Sequence, residues 1–230
     1  MNLETLTQVN IERAARRPVF VVTDVSNGEQ RMVKVADLTG DPLEAELRKQ
    51  LRMGKSAMIE VDGKKLFVNV YAPVARMVII GAVHISQALA PMARSLGYDV
   101  TVVDPRTAFA SPERFPDVRV VAEWPDVALP PLNVDHYTAF VAVTHDPKID
   151  DPALLHAFER DCFYIGALGS RKTHAKRLDR LKAQGASDQD IAKIHAPIGL
   201  PIGAISPGEV AVAIMAQITA QLRLPKEGAS

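Results

Sequence analysis

The stretch Arg76-Met77-Val78-Ile79-Ile80-Gly81-Ala82-Val83-His84-Ile85-Ser86, continuing to Gly97, decides the fold. Arg76–Ile80 is an unbroken apolar run, the pattern of a strand covered on both faces. A glycine then turns the chain, and Ile85, Leu89, Met92 and Leu96 recur at helical spacing up to Gly97. Asp99–Val103 is again apolar. Strand, glycine turn, helix and strand form the unit of a parallel sheet with right-handed crossovers.

Downstream the alternation continues. Residues 118–121, 139–143 and 162–165 read as further strands, and 151–160, 170–184 and 187–195 as helices. The last helix is the best marked, with Ser206 as N-cap, Pro207 at its first position and Glu209 completing a capping box. Val210, Ile214, Ile218 and Leu222 give it a core stripe. Residues 73–230 are therefore expected to form an α/β domain with a Rossmann-like parallel sheet.

Upstream the pattern differs. Residues 19–23 and 32–35 are β-rich runs around Ser26-Asn27-Gly28-Glu29, and 58–61 and 66–70 flank Asp62-Gly63. Asn-Gly and Asp-Gly pairs favour hairpin turns because both positions tolerate positive φ. Between them Asp41-Pro42 opens a helix with a Leu43, Leu47, Leu51 stripe that stops near Gly54. Residues 1–72 are expected to form a smaller N-terminal α+β domain, with Tyr71-Ala72-Pro73 as the junction.

The 230 residues suit one large domain or a medium one with a small companion. Lys plus Arg number 27 and Asp plus Glu 27, so no overall positive field exists for nucleic acid or a membrane surface. The single cysteine, Cys162, precludes an intramolecular disulfide and a zinc site built on several thiolates. The segment Met1 to Arg17 is polar, unlike a secretory signal, and no apolar stretch approaches the roughly 18 residues of a membrane span. A cytoplasmic protein is expected.

In open α/β sheets ligands gather beyond the carboxyl ends of the strands. Four segments fall there. At Gly81 and His84 a dinucleotide fingerprint would begin, but Val83 and Ser86 stand at its second and third glycine positions. Gly81 before a helix N-terminus still offers amides to an anion, with His84 in the first turn; a plain tight turn reads equally well. Asp104 lies 23 residues after Gly81, near the roughly 20-residue offset of a ribose-binding acid. Arg106 beside it suits a phosphate, and a plain Asp-Pro turn is the alternative. Thr144 and His145, with Asp146, offer hydrogen bonds to a polar ring or a phosphate.

Gly166, Gly169, Ser170 and Arg171 form the fourth segment: a glycine turn, an N-cap and a basic helix start, together an anion site. A basic, solvated helix start continuing through Lys176, Arg177 and Arg180 is the alternative reading. His136, His156, His174 and His195 stand singly, without metal-ligand spacing, and no nucleophile elbow is present. The residues thus point to a binding pocket. An NAD(P)-dependent oxidoreductase on the same sheet, and a protein-binding scaffold with a vestigial pocket, are the other readings.

Residues 77–222 resemble the XdhC/CoxI family. The resemblance rests on Gly81-Ala82-Val83-His84, where the family has Gly-Ala-Gly-His; on Val102-Val103-Asp104-Pro105-Arg106; on Phe109-Ala110-Ser111-Pro112-Glu113-Arg114-Phe115-Pro116; and on Val143-Thr144-His145-Asp146. It is strongest in Tyr164-Ile165-Gly166-Ala167-Leu168-Gly169-Ser170-Arg171 and in the blocks from Ile194 to Ala211. It implies a chaperone that binds molybdenum cofactor, either as molybdopterin or in a nucleotide-extended form. Such a chaperone passes the cofactor to an apo-molybdoenzyme of the xanthine dehydrogenase type, works with a cofactor sulfurase and forms a homodimer. Where the family carries a Gly-Gly-Cys-Val-Glu block, this chain has Thr39-Gly40-Asp41-Pro42-Leu43-Glu44, with Pro42 in place of the cysteine. Sulfur chemistry from that position is closed to it.

Overall fold

The computed structural model describes residues 2–225. They form two units, one built on the chain up to Pro73 and the other on Val74–Leu222.

The first unit opens with a helix that no sequence periodicity announces, α1 (Leu3–Ala14). Asn2 caps it, its side chain accepting from the Thr5 amide at 2.8 Å. Its apolar stripe is thin, because Val9 is its one buried apolar residue, packed with Val19 and Val21. Strands β1 (Val19–Asp24) and β2 (Gln30–Lys34), helix α2 (Glu44–Met53), and strands β3 (Ala57–Val61) and β4 (Lys64–Tyr71) follow. The four strands form an antiparallel sheet in the order β2-β1-β4-β3. Asp62 and Gly63 both adopt positive φ, as a two-residue hairpin requires. The first hairpin turns differently. Only Gly28 of its Asn-Gly pair has positive φ, and the Asp24 carboxylate accepts from the Ser26 amide and hydroxyl to form a side-chain-stapled loop. Leu43 and Leu47 of the α2 segment are buried with Phe20, Val22, Val33 and Val68, and Gly54 ends the helix in the left-handed region.

The second unit runs β5 (Arg76–Ile80), α3 (His84–Ser95), β6 (Asp99–Val103), β7 (Arg119–Val121), α4 (Pro125–Ala128) and β8 (Thr138–Ala142). It continues with α5 (Pro147–Glu159), β9 (Tyr164–Ala167), α6 (Arg171–Ala183), α7 (Asp188–Ala192), β10 (Ile194–His195) and α8 (Pro207–Arg223). Every strand pair is parallel, in the order β10-β9-β8-β5-β6-β7. This is the doubly wound Rossmann order, with the chain reversing its progression between β5 and β8. Two apolar clusters cover the two faces. One joins Leu89 and Ala93 of α3 to Ile214 and Ile218 of α8; the other joins Leu154 and Ala157 of α5 to Leu181 of α6. The expected fold class, a Rossmann-like sheet with a smaller α+β unit, is the observed one.

Two elements depart from expectation in ways that matter for the site. Helix α5 starts at Pro147 instead of 151, because Asp146 is its N-cap and accepts from the Lys148 amide at 2.9 Å. Pro152, which resembles a first-turn proline in sequence, lies inside the helix. The earlier start places Asp150 and Asp151 in its first turns. Residues 187–195 are not one helix: the Ser187–Asp190 capping box starts α7, which ends at Ala192, and Ile194 and His195 then pair with β9.

Glu12 ties α1 to the first unit. Its side chain is 4% exposed and binds Arg17 Nε at 2.6 Å and Lys34 Nζ at 3.0 Å. Hydrogen bonds from Arg17 and then Lys34 hold its carboxyl at about 2. Because this value lies below the ordinary 4.5, the stabilisation is complete above pH 4.5 and is lost as the pH falls through the folded value. Glu12→Gln should therefore lower the denaturation midpoint at pH 7, and the gap from wild type should narrow on titrating toward pH 2. Circular dichroism melts across that range measure it.

Candidate functional site

The strand ends carrying the sequence-derived candidates lie at the carboxyl edge of the second sheet. Gly81, just after β5, is buried with φ +114°, and its amide donates to the Val103 carbonyl at 2.8 Å. A Cβ at this position would sit 2.7 Å from Thr144 Cγ2, so the threonine methyl occupies the space a side chain would take. Gly81 and Thr144 flank the topological switch point, where a dinucleotide would approach the backbone. Thr144 therefore packs directly against Gly81, and Val83, the helix N-cap residue of α3, adds a branched side chain where the fingerprint needs glycine. His84 is the first residue of α3 and is exposed.

Asp104 is 0% exposed and fully used within the chain. Oδ2 accepts from the Ala82 amide at 2.8 Å and Arg106 Nη2 at 2.7 Å; Oδ1 accepts from the Arg106 amide and Nε, both at 2.9 Å. Burial pushes the carboxyl up, but Arg106 and the two amides outweigh it and hold it below the usual aspartate value. Arg106 also lies over the Phe109 ring, 4.6 Å from its centroid. The pair braces the β5–α3 turn against the loop after β6.

Gly166 requires a correction. It lies inside β9, paired with Val141 and His195, and is no part of a turn. A Cβ there would meet Ile198 Cδ1 at 2.6 Å and the Tyr164 hydroxyl at 2.7 Å, so the glycine serves packing. Gly169, with φ +141°, makes the turn alone. Ser170 caps α6, its Oγ accepting from the Thr173 amide at 3.2 Å. Arg171 is exposed at the start of α6.

One strand away from the switch point, between the starts of α5 and α6, a cavity of about 340 Å³ opens. His145, Pro147 and Asp150 line one side; Lys172, Thr173, Lys176, Arg177 and Arg180 line the other. Of the ten sequence candidates, His145 lines it directly, Thr144 borders it, and Gly169 and Ser170 shape its helix start. His145 has φ +67°, a conformation uncommon for a non-glycine residue, and its amide donates to Asp150 Oδ2 at 3.1 Å. Thr144 Oγ1 donates to Asp150 Oδ1 at 2.6 Å. Asp150 is 1% exposed; burial raises its carboxyl, and Thr144 and Arg177 oppose that rise.

Arg177 is 2% exposed. Its Nη2 donates to the Leu168 carbonyl at 2.8 Å and lies 3.7 Å from Asp150 Oδ2, while Nε and Nη1 are buried without a hydrogen-bond partner. Burial pushes its pKa down, and Asp150 and Asp151 pull it back up. Arg180 is held by Asp151, Nε to Oδ2 at 2.5 Å and Nη2 to Oδ1 at 3.0 Å. Lys176, Arg177 and Arg180 all line the cavity, Lys176 exposed and Arg177 buried. The signal that locates them is their spacing: positions 173, 176, 177 and 180 recur as one face of a helix, directly after an N-cap. The Lys172 and Lys176 ammonium groups, the buried Arg177 charge and the N-terminus of α6 make the cavity electropositive, an environment suited to an anion.

Fold and pocket define a doubly wound parallel-sheet protein with a basic cavity between the starts of α5 and α6, one strand beyond the switch point. Residues 77–218 match the model of the XdhC Rossmann domain, and the chain belongs to the XdhC family. It is 32% identical over 155 residues to the uncharacterized protein YqeB of Escherichia coli strain K12, covering 66% of this chain and 28% of that protein. It is 31% identical over 157 residues to the molybdenum cofactor insertion chaperone PaoD of the same organism, covering 68% and 43%. A Bacillus subtilis strain 168 protein named as a probable xanthine dehydrogenase subunit is 30% identical over 154 residues, covering 66% and 44%. The matched segment spans less than half the length of each of these relatives. A crystal structure described as that of a xanthine dehydrogenase from Bacillus halodurans shares the fold, with a TM-score of 0.66 and 24% identity over 99% of this chain and 66% of that one.

The Gly81–Thr144 contact is testable. Gly81→Ala should cost about 2 kcal/mol of stability through overpacking and a strained φ. Adding Thr144→Ser, which removes the opposing methyl, should return about 1 kcal/mol of it. Urea denaturation of the two single variants and the double variant measures the coupling.

Proposed function

We propose that this chain is an accessory protein that holds molybdenum cofactor and supports its insertion into an apo-enzyme of the xanthine dehydrogenase type. The observation that carries the proposal is the anion pocket between α5 and α6, in a family one of whose members is named a molybdenum cofactor insertion chaperone. The Bacillus subtilis relative, by its name, supports the choice of client.

The residues fit one end of the cofactor. Its phosphate suits Arg177, Lys172, Lys176 and the Thr173 hydroxyl, and 340 Å³ lies in the range of small-molecule pockets. Among the described residues no group of three or more His, Cys, Asp or Glu side chains could hold a metal ion. Cys162 is buried, and burial pushes its thiol up to about 12, which leaves it a poor thiolate ligand. When bound, the cofactor would supply molybdenum and its dithiolene for the client's chemistry; the chain itself grips phosphate and leaves the metal end to others. A cofactor sulfurase as second partner, a homodimer and a nucleotide-extended ligand belong to the same proposal.

Anaerobic ultrafiltration of purified protein with extracted molybdenum cofactor tests it. Retention of the cofactor at micromolar protein is expected, with about tenfold weaker retention by the Lys172→Ala/Lys176→Ala variant and little change in Arg171→Ala. Absence of retention, or equal retention by the double variant, would overturn the proposal.

A further inference from the structure

We infer that the exposed face of α8 is the contact between two copies of this chain, which meet antiparallel about a two-fold axis beside Ala216. The inference gives a surface to the homodimer named in the function proposed above. It rests on that reading only in expecting a second copy, and on nothing said there of the cofactor.

From Val210 to Leu222 no residue of α8 is charged, although one side of the helix faces water. Ala211, Ile214, Met215 and Ile218 are buried in the core against the sheet. The opposite side carries Val212, Ala216 and Thr219, with Val212 48% exposed and Thr219 exposed. A helix lying on a protein surface carries charge on its outer side, whereas one that is uncharged and largely apolar all round is ordinarily covered. Helix α6 follows the first pattern, exposing Lys172, Lys176 and Asp179. Beside the first turns of α8 the uncharged surface continues into the loop of residues 198–205, where Leu200, Ile202 and Ile205 are exposed, Ile205 by 90%. That loop is pinned to the helix. The Leu200 amide donates to the Ala213 carbonyl at 3.1 Å, and the Ile205 and Ser206 amides donate to Glu209 Oε2 at 2.9 and 2.7 Å. An exposed apolar surface held in place in this way marks a protein contact.

The charges at the two ends of the face name its occupant. Positions 209, 212, 216, 219 and 223 advance by three and four residues in turn, so Glu209 and Arg223 lie on the same side of the helix as Val212, Ala216 and Thr219. Both are exposed, and Ala216 is midway between them. Turning a second copy end for end about an axis through that midpoint sets Glu209 of each copy toward Arg223 of the other, each pair about 10 Å along the helix from the axis. The two helix dipoles then also oppose each other favourably. A parallel pairing would set like charges together at both ends. The face is therefore complementary to itself, which is the requirement of a two-fold contact. The small side chains at 212, 216 and 219 let two helices approach closely.

The test uses the full chain. Sedimentation equilibrium of wild type should show a dimer at micromolar concentration. Ala216→Cys places a thiol on the axis beside its own copy, and the one native cysteine, Cys162, is buried. Oxidation of this variant with copper phenanthroline should therefore give a disulfide-linked dimer on a non-reducing gel, whereas Asp179→Cys on the exposed side of α6 should stay monomeric there. Ala216→Glu, which sets two carboxylates against each other on the axis, should weaken dimerisation about a hundredfold while circular dichroism stays unchanged. Arg223→Glu, which turns both end pairs into like charges, should weaken it about tenfold. A monomeric wild type, or a dimer that Ala216→Cys does not crosslink and Ala216→Glu does not weaken, would overturn the inference. A dimer that Arg223→Glu tightens would overturn the antiparallel order. A monomer that retains molybdenum cofactor would remove this inference alone; a crosslinked dimer that retains none would sustain it and remove the function proposed above.

Discussion

The hydroxyl of Thr144 donates to a carboxylate shut away from water, and the methyl on the same carbon fills the space beside Gly81. One side chain thereby settles two questions. Toward β5 it packs against the backbone at the switch point, where a doubly wound sheet ordinarily takes its ligand. Toward α5 it holds Asp150 at the floor of the neighbouring pocket, within reach of Arg177. The two effects are inseparable because threonine's branches leave a single carbon and its χ1 is stiff. Serine would retain the hydrogen bond and lose the packing against Gly81, and valine would retain the packing and leave Asp150 without its hydroxyl donor.

The parallel sheet was legible because its strands are buried on both faces and read as apolar runs, with helical stripes between them. The antiparallel unit was legible at Asp62-Gly63, where residue type and required φ agree. Helix α1 escaped because a single buried Val9 makes no periodic stripe. The start of α5 escaped because Pro152 imitates a first-turn proline, while the true first-turn proline, Pro147, follows Asp146. That slip of four residues hid Asp150 from any reading of the site, since in sequence it belonged to a loop.

For the site itself, the sequence points to the carboxyl edge of the second sheet, and the structure adds side-chain pairings there that the sequence conceals. Asp104 and Arg106 looked like ligand groups because residue type and offset match a ribose site, yet adjacency in the chain let them satisfy each other. Arg171 drew notice as the first cation after the glycine turn, whereas the buried cation is Arg177, two turns further along the helix. A basic run on a helix has a wet side and a dry side, and composition alone does not say which cations fall on which. Only the packing of α6 against α5 divides them.

The sheet of the second unit ends in strands of three residues at β7 and two at β10. Such short margins expose few unpaired amides and carbonyls, and offer little template for another chain to continue the sheet. Any protein that docks on this unit is therefore steered toward its side chains, on helices and loops. Surface chemistry of that kind can be revised residue by residue while the backbone scaffold stays unchanged.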